Sequence, residues 1–520
     1  MLTRGEAPPP EFTRPEVAKI LIEGYRQLQA SATPQKTEQK PAEAKPTPQP
    51  KPATASSNGR RKVLVIGLDC ATPELIFDEY KAFLPNISRL MDTGMYGELE
   101  SCTPPITVPA WASMMSSKDP GQLGFYGFRN RADHSYEGMS IATANSVKEH
   151  RVWDLLSDAG KQVSVVGVPQ TYPVRPVNGH LISCFLTPSI ESEYTYPANL
   201  KSEIESLVGE YMIDVRNFRT DNKEWLLRQI YEMTEKRFRV VRYLMRKKPW
   251  DFFMFVEMGT DRIHHGFWKY TDADHRKFES GNPFQDSIKD YYKYVDREIG
   301  ELLGLIDGDT AVLLVSDHGA KRMDGGICIN EWLIENGYLT LKEKPNTIMP
   351  LEKAEIDWPK TKAWAAGGYY GRLFLNVKGR EPHGAIEPHE YESVRDELMD
   401  KLQELKDEKG QEIGAKVFKP QDVYKDVRNI PPDLIIYFGD LYWRSVGSIG
   451  LNRIHTFEND TGPDDANHSE HGIFVMYDPQ NPGGGKRVDG LNLVDVAPTI
   501  LNLFGEDVPS DMIGKVVGND

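Results

Sequence analysis

Four apolar runs, each closing on a turn-like residue group, constrain the fold of this chain more than any other feature. They are KVLVIGLD at 62–69, QVSVVGVP at 162–169, DFFMFVEMGTD at 251–261 and TAVLLVSDHG at 310–319. A strand covered on one face alternates apolar and polar residues, whereas these runs are apolar almost throughout, as strands buried on both faces are. Helical patterns lie between them, including RVWDLLSDAG at 151–160 and the long stretch from Lys223 to Lys247. The alternation predicts an α/β fold with a mostly parallel central sheet and helices on both faces.

Functional groups in such sheets collect beyond the carboxyl ends of the strands. Three of the four runs end in residue types that bind metals: Asp69, Asp261 and the pair Asp317-His318. Asp261 and His265 are four residues apart and share one face if a helical turn follows the strand, while His264 points elsewhere. Each signal alone has an ordinary structural account as a helix cap, a turn or an ion pair. Their convergence is what marks a site. HSEHGIFVMYDP at 468–479 places His468 just before a further strand-like run, with His471 as an outer or surface residue.

SCTPPITVPAWASMM at 101–115 offers a hydroxyl at Thr107, bracketed by prolines and followed by a helix start. The residue would serve as an N-cap, or as a nucleophile activated by a metal that lowers the hydroxyl pKa. Backbone N–H groups at a helix start also favour phosphoryl oxygens.

The 520-residue length predicts one large domain with an insertion, or two domains. From about 326 to 439 the texture changes to shorter strands, YGRLFLNV and DLIIYFG, and a charged helix near 388–408, consistent with an inserted α+β lobe. Residues 31–60 are rich in Pro, Ala, Lys, Thr and Gln and read as a disordered linker. Before it, Val17, Ile20, Leu21, Tyr25 and Leu28 give residues 1–30 the pattern of a tail helix, with partner docking as the less ordinary reading. The partner of that tail is unspecified by the sequence.

With 62 Lys+Arg against 77 Asp+Glu the formal charge is −15, which disfavours loose binding to nucleic acid or anionic membranes. An anionic substrate must be attracted locally. The chain lacks a stretch of about 18 apolar residues that would cross a membrane, and MLTRGEAPPPEF lacks the apolar core of a secretory signal, so the cytoplasm is the expected compartment. Cys70, Cys102, Cys184 and Cys328 show no CxxC spacing, which points to reduced thiols. GGGK at 483–486 does not complete a phosphate-binding loop and reads as a surface turn.

Five segments in order carry a resemblance: VIGLDCATPELI; PNISRLMDTGMYGELESCTPPITVPAWASMMSSKDPGQLGFYGF; GTDRIHHGFW; VSDHGA with NEWL soon after; and HSEHGIF. Together they resemble the type I phosphodiesterase and nucleotide pyrophosphatase branch of the alkaline phosphatase superfamily, from Val63 to about Gly514. The resemblance implies two divalent metal ions, usually zinc, with manganese also suited to the donor set. It places Asp69, Thr107, Asp317 and His318 on one metal and Asp261, His265 and His468 on the other. Thr107 would form a phosphothreonine intermediate while a small-molecule phosphodiester or pyrophosphate is hydrolysed.

The match also breaks in places. Nucleotide-type relatives carry Asn three residues after the nucleophile and a later His-Gly pair, where this chain has Ala110 and Leu123-Gly124. A nucleotide substrate is therefore unsecured. Trp111 would line the pocket instead, and Arg129 and Arg131 would supply positive charge or simply form ion pairs. A phosphomonoesterase or phosphomutase using the same metals, and a non-catalytic binding protein on the same fold, remain alternatives. A sulfatase is disfavoured, since TVPAW has Thr and Trp where that branch has Cys or Ser and Arg.

Overall fold

A computed structural model describes residues 61–518. The tail helix and the linker expected over residues 1–60 lie outside the described residues. The four apolar runs form β1 (Val63–Leu68), β3 (Val163–Val166), β6 (Phe252–Glu257) and β7 (Ala311–Val315). They join β2 (Met95–Glu100), β4 (Gly179–Ile182), β5 (Thr195–Tyr196), β8 (His471–Tyr477), β9 (Lys486–Arg487) and β10 (Leu491–Asn492) in one sheet. The order is β9-β2-β8-β7-β1-β6-β3-β4-β5, with β10 also on β2. Only β8 and β5 run against the other strands.

Alternate residues of β1 explain why the run is apolar throughout. Leu64, Ile66 and Leu68 face a core built with α1 (Pro85–Thr93), α4 (Lys223–Lys247), α5 (Gly259–Thr271) and α6 (Ser287–Leu303). Val63 and Val65 face a second core with α2 (Thr107–Ser116), α3 (Val152–Asp158) and α7 (Val496–Leu503). Phe253 and Phe255 of β6 join the first core, and Phe252, Met254 and Val256 the second. Each fully buried side chain of this size contributes roughly 1.5–3 kcal/mol, so both faces of the strand stabilise the fold.

Apolar residues on both faces cannot by themselves fix which residue sits where. Gly67 supplies a landmark, because a Cβ there would come within 2.6 Å of the Trp111 ring. A one-residue slip of β1 would drive a larger side chain into the indole.

The smaller lobe has its own apolar core, including Ile327, Leu333, Trp364, Leu373, Leu398, Ile436 and Trp443. A four-stranded antiparallel sheet (Ala363–Ala366, Gly371–Leu375, Lys416–Phe418, Leu434–Tyr437) lies beside a three-stranded one (Gly325–Cys328, Trp443–Val446, His455–Thr456). These lobe strands continue past Gly439 to Thr456, because Gly325–Cys328 takes its neighbours from the later segment. The expected charged helix spans Tyr391–Gln403, and GGGK forms a turn with Gly484 and Gly485 at positive φ. Among the described residues, no helix is long and apolar enough to cross a membrane. All four cysteines are free thiols.

Candidate active site

Asp69 follows β1, Asp317 and His318 follow β7, and Asp261 and His265 sit in the first turns of α5, directly after β6. These three strands are adjacent in the sheet, so their exits meet above one edge. His468 arrives differently, on a short strand (Ala466–Ser469) antiparallel to Gly319–Arg322, opposite Ala320. That pairing stacks its ring on His318 with centroids 3.8 Å apart. Thr107 opens α2 and is 4% exposed.

Among the described residues, Asp69/Asp317/His318 and Asp261/His265/His468 form two groups of potential ligand atoms, each with its atoms within 4.8 Å of one another, and Cys70 joins His318 and His468 in a third. Thr107 Oγ1 lies 3.2 Å from His318 Nε2 and so belongs beside the first group. The structure thus brings together the seven residues that the sequence singled out.

The three imidazoles are oriented in the same way. His318 Nδ1 faces the Gly319 carbonyl at 3.1 Å, His468 Nδ1 faces the Pro105 carbonyl at 2.8 Å, and His265 Nδ1 faces Asp464 Oδ1 at 2.7 Å. An acceptor at Nδ1 fixes a proton there and turns Nε2 toward the centre, where loss of any second proton frees its lone pair. His318 Nε2 lies 3.1 Å from Asp317 Oδ2, and His265 Nε2 lies 3.1 Å from Asp261 Oδ1.

The carboxylates follow a parallel rule, with one oxygen tied to the protein and the other turned inward. Trp111 Nε1 donates to Asp69 Oδ2 at 2.7 Å, the Cys70 N–H donates to Asp317 Oδ1 at 3.2 Å, and Arg262 donates to Asp261 Oδ2. Asp69 Oδ1, Asp317 Oδ2 and His468 Nε2 are buried with no hydrogen-bond partner. Orphaned polar atoms of this kind are costly in a protein interior, and here they point into one small volume.

Electrostatics describes the same deficit of positive charge. Burial, reinforced by neighbouring carboxylates, pushes the Asp69 and Asp317 carboxyls well above the usual range. Burial works against ionisation of Asp261 too, but His265 and Arg262 overcome it and hold its carboxyl well below that range. Burial lowers His318 to about 4, whereas Asp464 and Asp261 outweigh burial at His265 and raise it to about 9. Arg262 is already paired with Asp214 as well as Asp261. Carboxylate oxygens and imidazole nitrogens converging with so little counter-charge fit divalent cations.

The remaining sequence candidates have other surroundings. Trp111 is fully buried and supports Asp69 instead of lining an open pocket. Arg131, also buried, donates to Glu381 at 3.0 Å and lies over the Trp364 and Phe374 rings of the lobe. Its geometry fits the ion-pair account. Arg129 is exposed on the hairpin formed with Met139–Ile141. His264 is enclosed against Tyr292, at 3.2 Å, and His471 is exposed.

Residues not anticipated from sequence complete the wall. Asp464 accepts from His265, from Tyr369 Oη at 2.9 Å and from Arg219 Nε at 3.0 Å. The Tyr369 ring, from the lobe, stacks on His265 and His468 at 4.9 and 4.3 Å. Asp464 stands four residues before His468, but only its burial against an imidazole shows what it does.

A family model described as type I phosphodiesterase / nucleotide pyrophosphatase matches residues 63–464, about three quarters of the chain. Phosphonoacetate hydrolase from Sinorhizobium meliloti 1021, in complex with phosphonoformate, superposes with a TM-score of 0.56 at 14% identity, covering 86% of this chain and 96% of that one. Its complex with phosphonoacetate gives 0.55 at 15% identity with the same coverage. At such identity the likeness is one of fold. Two curated sulfate adenylyltransferases share short segments: 71% identity over 38 residues in the protein of Symbiobacterium thermophilum and 68% over 31 residues in that of Allochromatium vinosum. Those segments span only 9% and 8% of the curated relatives' length. The extended match, over the strands and helices that hold six of the seven converging residues, is the one that assigns the protein: the chain belongs to the type I phosphodiesterase / nucleotide pyrophosphatase family.

Proposed function

We propose that this chain hydrolyses a phosphodiester or pyrophosphate bond, with Thr107 as the nucleophile and a phosphothreonine intermediate. The observation that carries the reading is the position of Thr107. Its hydroxyl sits at the start of α2 and beside a buried group of inward-facing ligand atoms. Asp69, Asp317 and His318, with Thr107 itself, would hold one divalent cation, and Asp261, His265 and His468 the other. Zinc suits this mixture of carboxylate and imidazole, and manganese is accepted by the same donors. Such cations neutralise phosphoryl charge and lower the pKa of a bound hydroxyl.

The chain's own groups perform the remaining tasks. Thr107 Oγ1 loses its proton to solvent as it attacks phosphorus, the alkoxide or phosphate leaving group departs and is protonated, and attack of water on the phosphothreonine restores the hydroxyl and releases phosphate monoester or phosphate. The free N–H groups in the first turn of α2 favour the phosphoryl oxygens, and Pro109 fixes the backbone there without adding a donor. Trp111 and the Cys70 N–H keep Asp69 and Asp317 from rotating away. Tyr369 excludes water from one side of His265 and His468.

Turnover of bis-p-nitrophenyl phosphate against p-nitrophenyl phosphate, after metal loading, tests the proposal. Preference for the diester supports it, and exclusive cleavage of the monoester overturns it in favour of a phosphomonoesterase or phosphomutase. Thr107→Ala should abolish turnover and leave metal content largely intact; undiminished activity removes Thr107 from the mechanism.

A further inference from the structure

We infer that Cys70 is an additional, thiolate ligand at this centre, placed between the two ligand groups and biasing it toward thiophilic cations such as Zn2+ and Cd2+. The inference rests on the metal reading above and adds a residue to it.

The backbone is the first observation. Cys70 follows Asp69 at the exit of β1 with φ 64°, a left-handed conformation that a residue with a side chain adopts at a cost of roughly 1–2 kcal/mol. Glycine would meet the turn without that cost. The side chain is completely buried in the interior.

Its neighbours are the second observation. Cys70 Sγ, one nitrogen of His318 and one nitrogen of His468 all lie within 4.8 Å of one another. The Asp261 carboxylate also faces the thiol. His318 belongs to one ligand group and Asp261 and His468 to the other, so the sulfur lies beside residues of both groups. His468 Nε2 is buried and has no hydrogen-bond partner. The thiol donates to the Gly319 carbonyl at 3.3 Å, an interaction that holds it close without using the sulfur lone pairs.

Coordination would replace the S–H bond by a sulfur–metal bond and release the proton to solvent. A thiolate among carboxylates and imidazoles favours zinc and cadmium over manganese and magnesium. The spacing of the four cysteines argues against an all-thiolate site, but a single thiolate needs no second cysteine.

Cobalt is a suitable probe, because thiolate ligation of Co2+ gives a near-ultraviolet charge-transfer band that oxygen and nitrogen ligands do not. The full-length protein, Cys70→Gly and Cys70→Ser would each be loaded with Co2+, and metal content measured directly. Glycine suits the backbone at this position and serine keeps the side-chain size, so either variant alone decides the matter if the other fails to fold. The band should appear in the parent protein and vanish in the variants at equal cobalt content. Cd2+ binding should weaken by roughly 10–100-fold in the variants, the range seen when support for a metal is lost, with Mn2+ binding changed much less. A fully loaded parent protein without the band, or variants with an unaltered preference for Cd2+ over Mn2+, would overturn the assignment. Diester turnover persisting in that case leaves the proposed function standing, whereas failure to bind cobalt at all removes both.

Discussion

Replacing Trp111 with Phe isolates the support given to one carboxylate. The indole N–H donates to Asp69 Oδ2 at 2.7 Å in a site where both residues are fully buried. Without a cation, burial raises the Asp69 carboxyl and favours its neutral form, and a bond between neutral groups contributes about 1 kcal/mol. Cation binding requires the carboxylate, and the same bond then has a charged acceptor, contributing about 1.5–3 kcal/mol. The difference, about 0.5–2 kcal/mol, is what metal affinity reads. At about 1.4 kcal/mol per tenfold it corresponds to roughly 2- to 30-fold weaker binding. Competition with a chromophoric chelator measures that affinity, and thermal unfolding with and without metal measures the two stabilities separately. Trp111→Phe should lose more stability in the loaded protein than in the metal-free one. Equal losses in the two states, or an unchanged metal affinity, would show that the indole is a packing element and does not hold the ligand.

Asp464→Asn should weaken binding at the His265 group by about 10–100-fold, because the amide no longer fixes the His265 Nδ1–H tautomer as an anion does; chelator competition at two equivalents resolves it from the other group. Arg131→Ala should destabilise the lobe by about 3 kcal/mol, the low end for a broken buried pair since Arg380 still faces Glu381, and hydrogen exchange over Gly371–Leu375 reports it. His275 is 5% exposed, accepts from the Lys277 N–H and is lowered to about 4 by burial. The unfolded chain binds a proton near 6.5, so stability is complete above that pH and falls by up to about 1.4 kcal/mol per unit between about 6.5 and 4. Urea unfolding of His275→Gln should show a shallower decline across this window, and identical slopes would exclude His275 as the cause.

Legibility from sequence followed the range of the interaction. The four parallel strands were readable because burial on both faces leaves a continuous apolar run, as in β1, whose six residues are all buried. Asp69, Asp261 and Asp317-His318 were readable because strand exits are where such sheets place chemistry, and the Asp261–His265 spacing matched the helix that follows β6. The contact of Trp111 with Asp69 is not legible locally, because it depends on the bare Cα of Gly67, beside which the indole reaches the carboxylate. Arg131 left two accounts open because its partner, Glu381, lies 250 residues away in the lobe. Asp464 and Tyr369 carry no local pattern, and their roles come from the packing of the lobe against α5.

The arrival of His468 on a strand paired with Gly319–Arg322 has a consequence for biosynthesis. As the polypeptide leaves the ribosome, Asp69 through His318 can be in place while the last imidazole is still to be translated, some 150 residues later. The lobe, including Tyr369, is encoded in that interval. If the second group holds a cation as proposed, its tight capture would report a chain translated past His468, and a product stalled before that residue would differ in metal content.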